Sequence, residues 1–86
     1  MRILIHKNFE KHYKKLKESE KQAFKERRNI FLKEPFNPIL NNHSLGGKYK
    51  GYRSINITGD LRVIFEILSE EVAYFVAIDT HSNLYK

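Results

Sequence analysis

The sequence predicts a small α+β domain in which a helical hairpin packs against one face of an antiparallel sheet. The chain has 86 residues, which is enough for one domain and too few for two. Its first half carries apolar residues at helical spacing. Its second half carries alternating runs of aromatic and β-branched residues bounded by turns. We therefore expect residues 1–86 to form a single domain.

The first half of the chain predicts a short strand followed by two helices. Residues 1–5 are expected to join the sheet, and Asn8 is expected to be the N-cap of the first helix. A capping-box pattern in residues 19–22 predicts the start of the second helix. This helix should end before Pro35, because the residue before a proline avoids the α-helical region. Residues 34–47 are then a loop.

The second half predicts a meander with two different faces. Its three strands are residues 49–57, 61–68 and 72–79. The residues expected to face the helices are Leu61, Val63, Phe65, Ile67, Tyr74, Val76 and Ile78. The opposite face should be open, polar and basic at one end, and it carries Asp60, Arg62, Asp79 and His81. Arg53 fits this alternation only if a bulge lies near Gly51 or if its side chain lies beyond the helical cover.

The net charge of +6 is concentrated in the predicted helices. Residues 1–33 hold 11 of the 16 basic residues and four of the ten acidic ones, a net charge of +7, whereas residues 34–86 carry −1. A basic half favours a polyanion or an acidic protein as partner. A solvated, lysine-rich helix face gives the same composition, so the charge alone identifies no function.

Composition and motifs argue against several classes of site. The chain has no cysteine, and therefore neither a disulfide framework nor a thiolate zinc site. No apolar run approaches the ~20 residues of a membrane span, and residues 3–5 are too short a run for a signal peptide, so we expect a cytoplasmic protein. Gly46-Gly47 lacks the Lys-Ser/Thr of a phosphate-binding loop, and the histidines have no metal-ligand spacing. No cofactor is expected.

The second half contains the residue types that cleave an RNA phosphodiester without a metal. This reaction needs a base for the 2′-hydroxyl proton, an acid for the leaving 5′-oxygen and cations around the phosphate. Histidine, with a pKa near ~6.5, suits both proton transfers at neutral pH. The candidates are His43, His81, Asp60, Arg53, Arg62, Lys48 and Lys50. Judged by residue type alone, ordinary loop histidines and surface cations explain the same set.

Three blocks of the second half resemble the RelE/ParE toxin superfamily, most closely its YafQ-like branch. They are residues 43–53 (HSLGGKYKGYR), 59–65 (GDLRVIF) and 79–85 (DTHSNLY). The order of strand, helical hairpin and meander is also similar, so the resemblance spans essentially the whole chain. It implies a toxin of a type II toxin–antitoxin system that cuts mRNA on the ribosome without a metal. A cognate antitoxin, expected to be small, acidic and partly disordered, would neutralise it by covering the basic open face.

The resemblance also implies roles for individual residues. The expected catalytic residues are His43, Asp60, Arg62 and His81, with His81 as the acid and Arg62 stabilising the transition-state phosphate. The expected RNA-binding residues are Lys48, Lys50, Arg53, Asn56 and Tyr85. Two positions depart from the family pattern: Asn56 stands where relatives often have a catalytic histidine, and Leu61 where they have tryptophan. Asparagine cannot exchange a proton near neutral pH, so the other candidates would carry the proton transfers.

Two other functions fit the same resemblance. A ParE-like protein would inhibit DNA gyrase by binding, without nuclease activity, but a pure binder has no need of the two titratable groups His43 and His81. A degenerate homologue would bind its antitoxin and do nothing else, and Asn56 and Leu61 keep that alternative open. In the leading hypothesis, the ribonuclease, the basic helices dock on rRNA.

Overall fold

The computed structural model describes residues 1–86 as three helices and one five-stranded sheet. The helices are α1 (Lys7–Tyr13), α2 (Glu18–Lys33) and α3 (His81–Leu84). The strands are β1 (Arg2–Ile5), β2 (His43–Ser44), β3 (Arg53–Asn56), β4 (Leu61–Ser69) and β5 (Val72–Thr80). Two short 3-10 turns, Pro38–Leu40 and Gly47–Tyr49, lie between α2 and β3. None of the helices is long and apolar enough to cross a lipid bilayer.

The sheet order is β1-β5-β4-β3-β2, with β1 parallel to β5 and every other pair antiparallel. The predicted α+β class, helical hairpin and three-stranded meander are confirmed. Two details differ from the prediction. A two-residue strand, β2, lies in the segment predicted to be a loop. Strand β3 begins at Arg53, later than predicted, because the 3-10 turn ends at Tyr49 and a further turn follows it.

Both helices of the hairpin begin with caps other than those predicted. His6, and not Asn8, is the N-cap of α1, and its Nδ1 accepts a hydrogen bond from the backbone N–H of Asn8 at 2.9 Å. The N-cap of α2 is Lys17, whose N–H donates to Glu20 Oε1 at 3.0 Å, so this helix starts earlier than expected. As predicted, α2 ends before Pro35.

Phenylalanine side chains fill the space between the helical hairpin and the sheet. Phe9 of α1 and Phe24 and Phe31 of α2 pack against Phe75 of β5, with ring centroids between 5.4 and 6.2 Å apart. Phe65 of β4 contacts Phe31 at 5.2 Å, and all five rings are at most 4% exposed. Because burying one such side chain stabilises a fold by about 1.5–3 kcal/mol, this cluster dominates the core.

A β-bulge at Val76 changes which residues of β5 face the helices. The residues before and after Val76 pair with two adjacent residues of β4, so Val76 has no partner. An extra residue of this kind reverses the side-chain alternation of the strand beyond it. Consequently Ile78 is buried, as predicted. Phe75 is also in the core, whereas Tyr74 and Val76 are not, so the prediction that these two residues face the helices was wrong.

Candidate functional site

A row of polar side chains crosses the sheet on the face opposite to the helical hairpin. Asn56, Arg62 and Asp79 are direct neighbours on β3, β4 and β5. Paired residues of adjacent strands point to the same face. The alternating residues Ile55 and Val63 belong to the core on the helix side. Arg62 and Asp79 therefore share the outer face, as the sequence predicted.

The turn between β3 and β4 joins this row to the start of α3. Arg62 Nη1 donates to the carbonyl oxygen of Thr58 at 3.0 Å, which holds the guanidinium against the turn. The backbone carbonyl of Asp60 accepts a hydrogen bond from the N–H of His81 at 2.9 Å. The structure thus brings Asp60, Arg62 and His81 together at one end of the sheet.

The helix α3 presents His81 and Tyr85 although it has only four residues. Thr80 is its N-cap, with Oγ1 accepting from the N–H of Asn83 at 3.2 Å. Asp79 Oδ1 accepts from the side-chain amide of Asn83 at 3.0 Å. The rings of His81 and Tyr85 are 4.9 Å apart and both residues are exposed. Local hydrogen bonds thus fix the first turn of α3 and leave both rings accessible.

The outer face is not fully open, contrary to the sequence prediction. Ile64 and Ser54 lie on this face and are buried, as is Leu84 of α3. The hydroxyl of Tyr49, from the 3-10 turn, donates to the carbonyl oxygen of Leu84 at 3.1 Å. The turn and α3 together cover the middle of the face. The sequence did not predict this cover, because α3 has only four residues and shows no apolar periodicity.

Tyr49 makes further contacts within this cover. Its ring meets that of Tyr85 edge to face, with centroids 5.6 Å apart, and Lys48 Nζ lies 5.2 Å from the ring centroid. Burial raises the pKa of Tyr49, and the neighbouring Tyr85 and Asp79 raise it further. The hydroxyl therefore stays protonated at neutral pH and remains a hydrogen-bond donor. Sequence reasoning placed Tyr49 in a strand and missed this role.

His43 lies on β2, at the far edge of the same face. It pairs with Ser54, two residues before Asn56 on β3. Neighbouring strands are about 4.8 Å apart, so the backbone of β2 stands roughly 14 Å from that of β5. His43 Nδ1 is 2.7 Å from the carbonyl oxygen of Asn41, and a carbonyl can only accept, so Nδ1 carries the proton. In the neutral ring, Nε2 then holds the free lone pair.

Lys48 and Lys50 are exposed on the loop between β2 and β3. Glycines with positive φ flank this pair, Gly47 at 60° and Gly51 at 94°, a conformation that other residues rarely adopt. Lys48 lies beside the ring of Tyr49, which bonds α3 on the outer face of the sheet, and Lys50 follows in the same loop.

Arg53 does not join the other candidate residues. It pairs with Phe65 on the helix side of the sheet, but its side chain lies beyond the helical cover, against the loop that follows α2. Its Nε donates to Asn42 Oδ1 at 2.8 Å, and its guanidinium lies 5.2 Å from the ring of Phe36, which is 69% exposed. Of the two explanations that the sequence left open for Arg53, the position beyond the cover is correct.

Asn56 carries a buried polar atom without a partner. Its Oδ1 is enclosed and accepts no hydrogen bond. Leaving such a group unpaired costs about 1–3 kcal/mol. Asn56 lies beside Arg62 in the polar row, so the residue that carries this destabilising, unpaired oxygen belongs to the candidate site.

Comparison with known proteins adds independent information. The sequence model of a family described as "Bacterial toxin of type II toxin-antitoxin system, YafQ" matches residues 1–86. The crystal structure of YafQ from E. coli strain BL21(DE3) superimposes with a TM-score of 0.78 at 20% identity, covering 100% of both chains. No curated protein sequence matches the chain significantly.

Two solved complexes contain a similar chain, and the first of them is a toxin–antitoxin complex. In the E. coli DinJ–YafQ complex the TM-score is 0.79 at 20% identity, over 98% of this chain and 96% of the other. In the archaeal RelE–RelB complex from Pyrococcus horikoshii OT3 it is 0.73 at 25% identity, over 92% of each chain. The arrangement of helices and strands described above is thus the one found in these structures.

Proposed function

Because this chain belongs to the YafQ family of bacterial type II toxins, we propose that it is a ribosome-dependent endoribonuclease that cleaves mRNA by metal-independent acid–base catalysis. One observation supports this most directly. Asp60, Arg62 and His81, which come from two distant segments of the chain, meet at one end of the sheet through the Asp60–His81 backbone hydrogen bond. This grouping supplies a carboxylate, a fixed cation and a group that can transfer a proton near neutral pH.

The proposed reaction is attack of the 2′-hydroxyl oxygen on the adjacent phosphorus. A bond forms between that oxygen and phosphorus, the bond from phosphorus to the 5′-oxygen breaks, and the products are a 2′,3′-cyclic phosphate and a 5′-hydroxyl. A base takes the 2′-hydroxyl proton, and an acid gives a proton to the 5′-oxygen. The attacking and leaving oxygens lie roughly in line through phosphorus, so base and acid act from opposite sides.

We assign the acid to His81 and the base to His43. His43 lies toward the other edge of the same face, and its free Nε2 is suited to accept a proton. Asp60, joined to His81 by a backbone hydrogen bond, would supply a carboxylate near the protonated imidazole of His81. Arg62 keeps further N–H groups beyond its bond to Thr58, and these would stabilise the charge on the phosphate.

The remaining residues serve to bind RNA and partners. Tyr85, 44% exposed, would stack on a base, while Lys48 and Lys50 would contact backbone phosphates. The basic helices would dock on rRNA, an interaction that needs no base readout and weakens with salt. The two solved complexes support a cognate antitoxin as a further partner. A ribosomal target implies a cytoplasmic protein.

The test compares wild type with His81→Ala in an inducible bacterial strain. During growth arrest, mRNA 5′ ends are mapped, and the wild type should create new ends that carry a 5′-hydroxyl. His81→Ala should create few, whereas the control Glu70→Ala, at an exposed residue of the turn between β4 and β5, should match wild type. Arrest without new 5′ ends would contradict the ribonuclease and favour gyrase inhibition. Cleavage by His81→Ala at the wild-type rate would contradict the role of His81.

A further inference from the structure

Two segments that carry proposed site residues are far apart in the chain but in contact in the fold. One is the 3-10 turn with Lys48, and the other is α3 with His81 and Tyr85. Isolated helices shorter than about 12–15 residues are marginal in water, so a four-residue helix needs tertiary contacts to stay ordered. What holds α3 therefore decides how well His81 is positioned.

Tyr49 supplies such a contact at the C-terminal end of α3. The last carbonyls of a helix have no partner within the helix. The hydroxyl of Tyr49 donates to one of them, the carbonyl oxygen of Leu84, at 3.1 Å and across 35 positions of sequence. Tyr49 thus caps α3 from a distant turn, while the Thr80 side chain caps its first turn.

Ring contacts continue from Tyr49 toward the proposed acid. Tyr49 packs edge to face on Tyr85 at 5.6 Å, and Tyr85 in turn lies 4.9 Å from the ring of His81. The same Tyr49 ring has Lys48 Nζ at 5.2 Å. Tyr49 is therefore linked through its neighbours to the proposed acid, to the base-stacking residue and to a phosphate-binding lysine.

We propose that Tyr49 is a positioning residue that holds α3, and with it His81 and Tyr85, in the geometry needed for RNA cleavage. This inference rests on the proposed ribonuclease function. Tyr49 acts through Leu84 and Tyr85 and takes no part in proton transfer itself. Its hydroxyl is protonated at neutral pH, as in any tyrosine, and is available for this bond.

The first experiment measures mRNA cleavage on purified ribosomes with Tyr49→Phe, Tyr49→Ala and, as control, Tyr52→Phe in the same loop. Tyr49→Phe removes one hydrogen bond and keeps the ring, so kcat should fall roughly tenfold with KM changed less than about threefold. Tyr49→Ala also loses the ring contacts, so its kcat should fall further, roughly a hundredfold below that of the wild type. Tyr52→Phe should match wild type. A kcat of Tyr49→Phe equal to wild type would contradict the proposal.

The second experiment needs no RNA. Amide hydrogen exchange in the free protein reports the opening of α3, where the N–H of Tyr85 donates to the carbonyl of His81 at 3.2 Å. Tyr49→Phe should speed this exchange roughly tenfold, the factor expected for one lost hydrogen bond, and leave the β4–β5 ladder unchanged. Unchanged exchange at Tyr85 would overturn the proposal, and so would faster exchange throughout the ladder, because the role of Tyr49 would then be general stability.

The two experiments separate the inference from the function on which it rests. If the wild type has no nuclease activity, the proposed function is wrong, and so is the proposal that Tyr49 supports RNA cleavage. Hydrogen exchange then still decides whether Tyr49 holds α3. If the wild type cleaves RNA but Tyr49→Phe changes neither kcat nor exchange, the positioning role fails and the ribonuclease stands.

Discussion

The two faces of the sheet are held together in different ways. On the helix side, five phenylalanine rings from two helices and two strands form a core in which each ring is at most 4% exposed. On the other side, a four-residue helix, a two-residue strand and a 3-10 turn are held by a few hydrogen bonds, a few ring contacts and the burial of Leu84. Stability and site geometry thus depend on different residues, so mutation should separate them.

The largest effect on stability is expected from Phe31→Ala. Phe31 is fully buried and contacts both Phe65 and Phe75. Truncating a buried phenylalanine costs about 3–5 kcal/mol of unfolding free energy, a large part of the total for a small domain. Urea unfolding measures the loss. Leu32→Ala, one residue away and 36% exposed, is the control and should cost far less. Equal losses would mean that the core does not depend on the phenylalanine cluster.

The next effect concerns activity alone. His81→Ala should lower the rate of the proposed mRNA cleavage about 10²–10⁴-fold, the range expected for loss of a general acid, the role proposed for His81. Because His81 is exposed, the unfolding free energy should change by less than about 0.5 kcal/mol. Cleavage on ribosomes and urea unfolding are measured on the same preparation. A loss of stability as large as that of Phe31→Ala would show that the two faces are not independent.

A smaller effect is expected in the loop that carries the lysines. Gly51 has a φ of 94°, and a Cβ there would meet no atom within 4 Å, so the cost of Gly51→Ala is conformational. A left-handed backbone costs a non-glycine residue about 1–2 kcal/mol. Gly59→Ala is the matched control, since Gly59 is equally uncrowded but has no positive φ. Thermal unfolding of both variants measures the difference, and no difference would contradict the argument.

The smallest effect is expected for the unpaired amide of the polar row. Asn56→Val removes a buried oxygen that has no partner, so stability should stay within about 1 kcal/mol of wild type or rise slightly. Asn42→Val is the control, because Asn42 bonds both Arg53 Nε and the carbonyl of Pro35 at 2.8 Å. Asn42→Val should lower the free energy of unfolding by about 1–3 kcal/mol. Urea unfolding that ranks the two variants in the opposite order would refute this difference.

The sequence predicted the elements that depend on local patterns. The existence of α2 follows from apolar spacing and its end from Pro35, and β4 and β5 follow from β-branched alternation and turn residues. The grouping of Asp60 and Arg62 near His81 followed from alternation and from the family resemblance. Each of these signals lies within a short window of sequence.

The features that were missed depend on contacts between distant segments. The bulge at Val76 is set by the pairing of β4 with β5, and β2 exists because it pairs with β3. Tyr49 fits a strand pattern, yet its partner Leu84 lies 35 positions away. No local pattern reports such a contact. The nearest signal was the pair of flanking glycines, Gly47 and Gly51, which indicates a bend where a strand was predicted.

The distribution of aromatic residues has an optical consequence. The fully buried core rings are phenylalanines, with Tyr13 packed against Phe9 and Phe24, whereas Tyr49 and Tyr85 meet on the other face, and the chain has no tryptophan to mask either signal. Near-ultraviolet circular dichroism in the tyrosine band, with the spectrum of Tyr49→Phe subtracted, would therefore report the order around α3. The phenylalanine band would report the core, so the melting of each face could be followed in its own band.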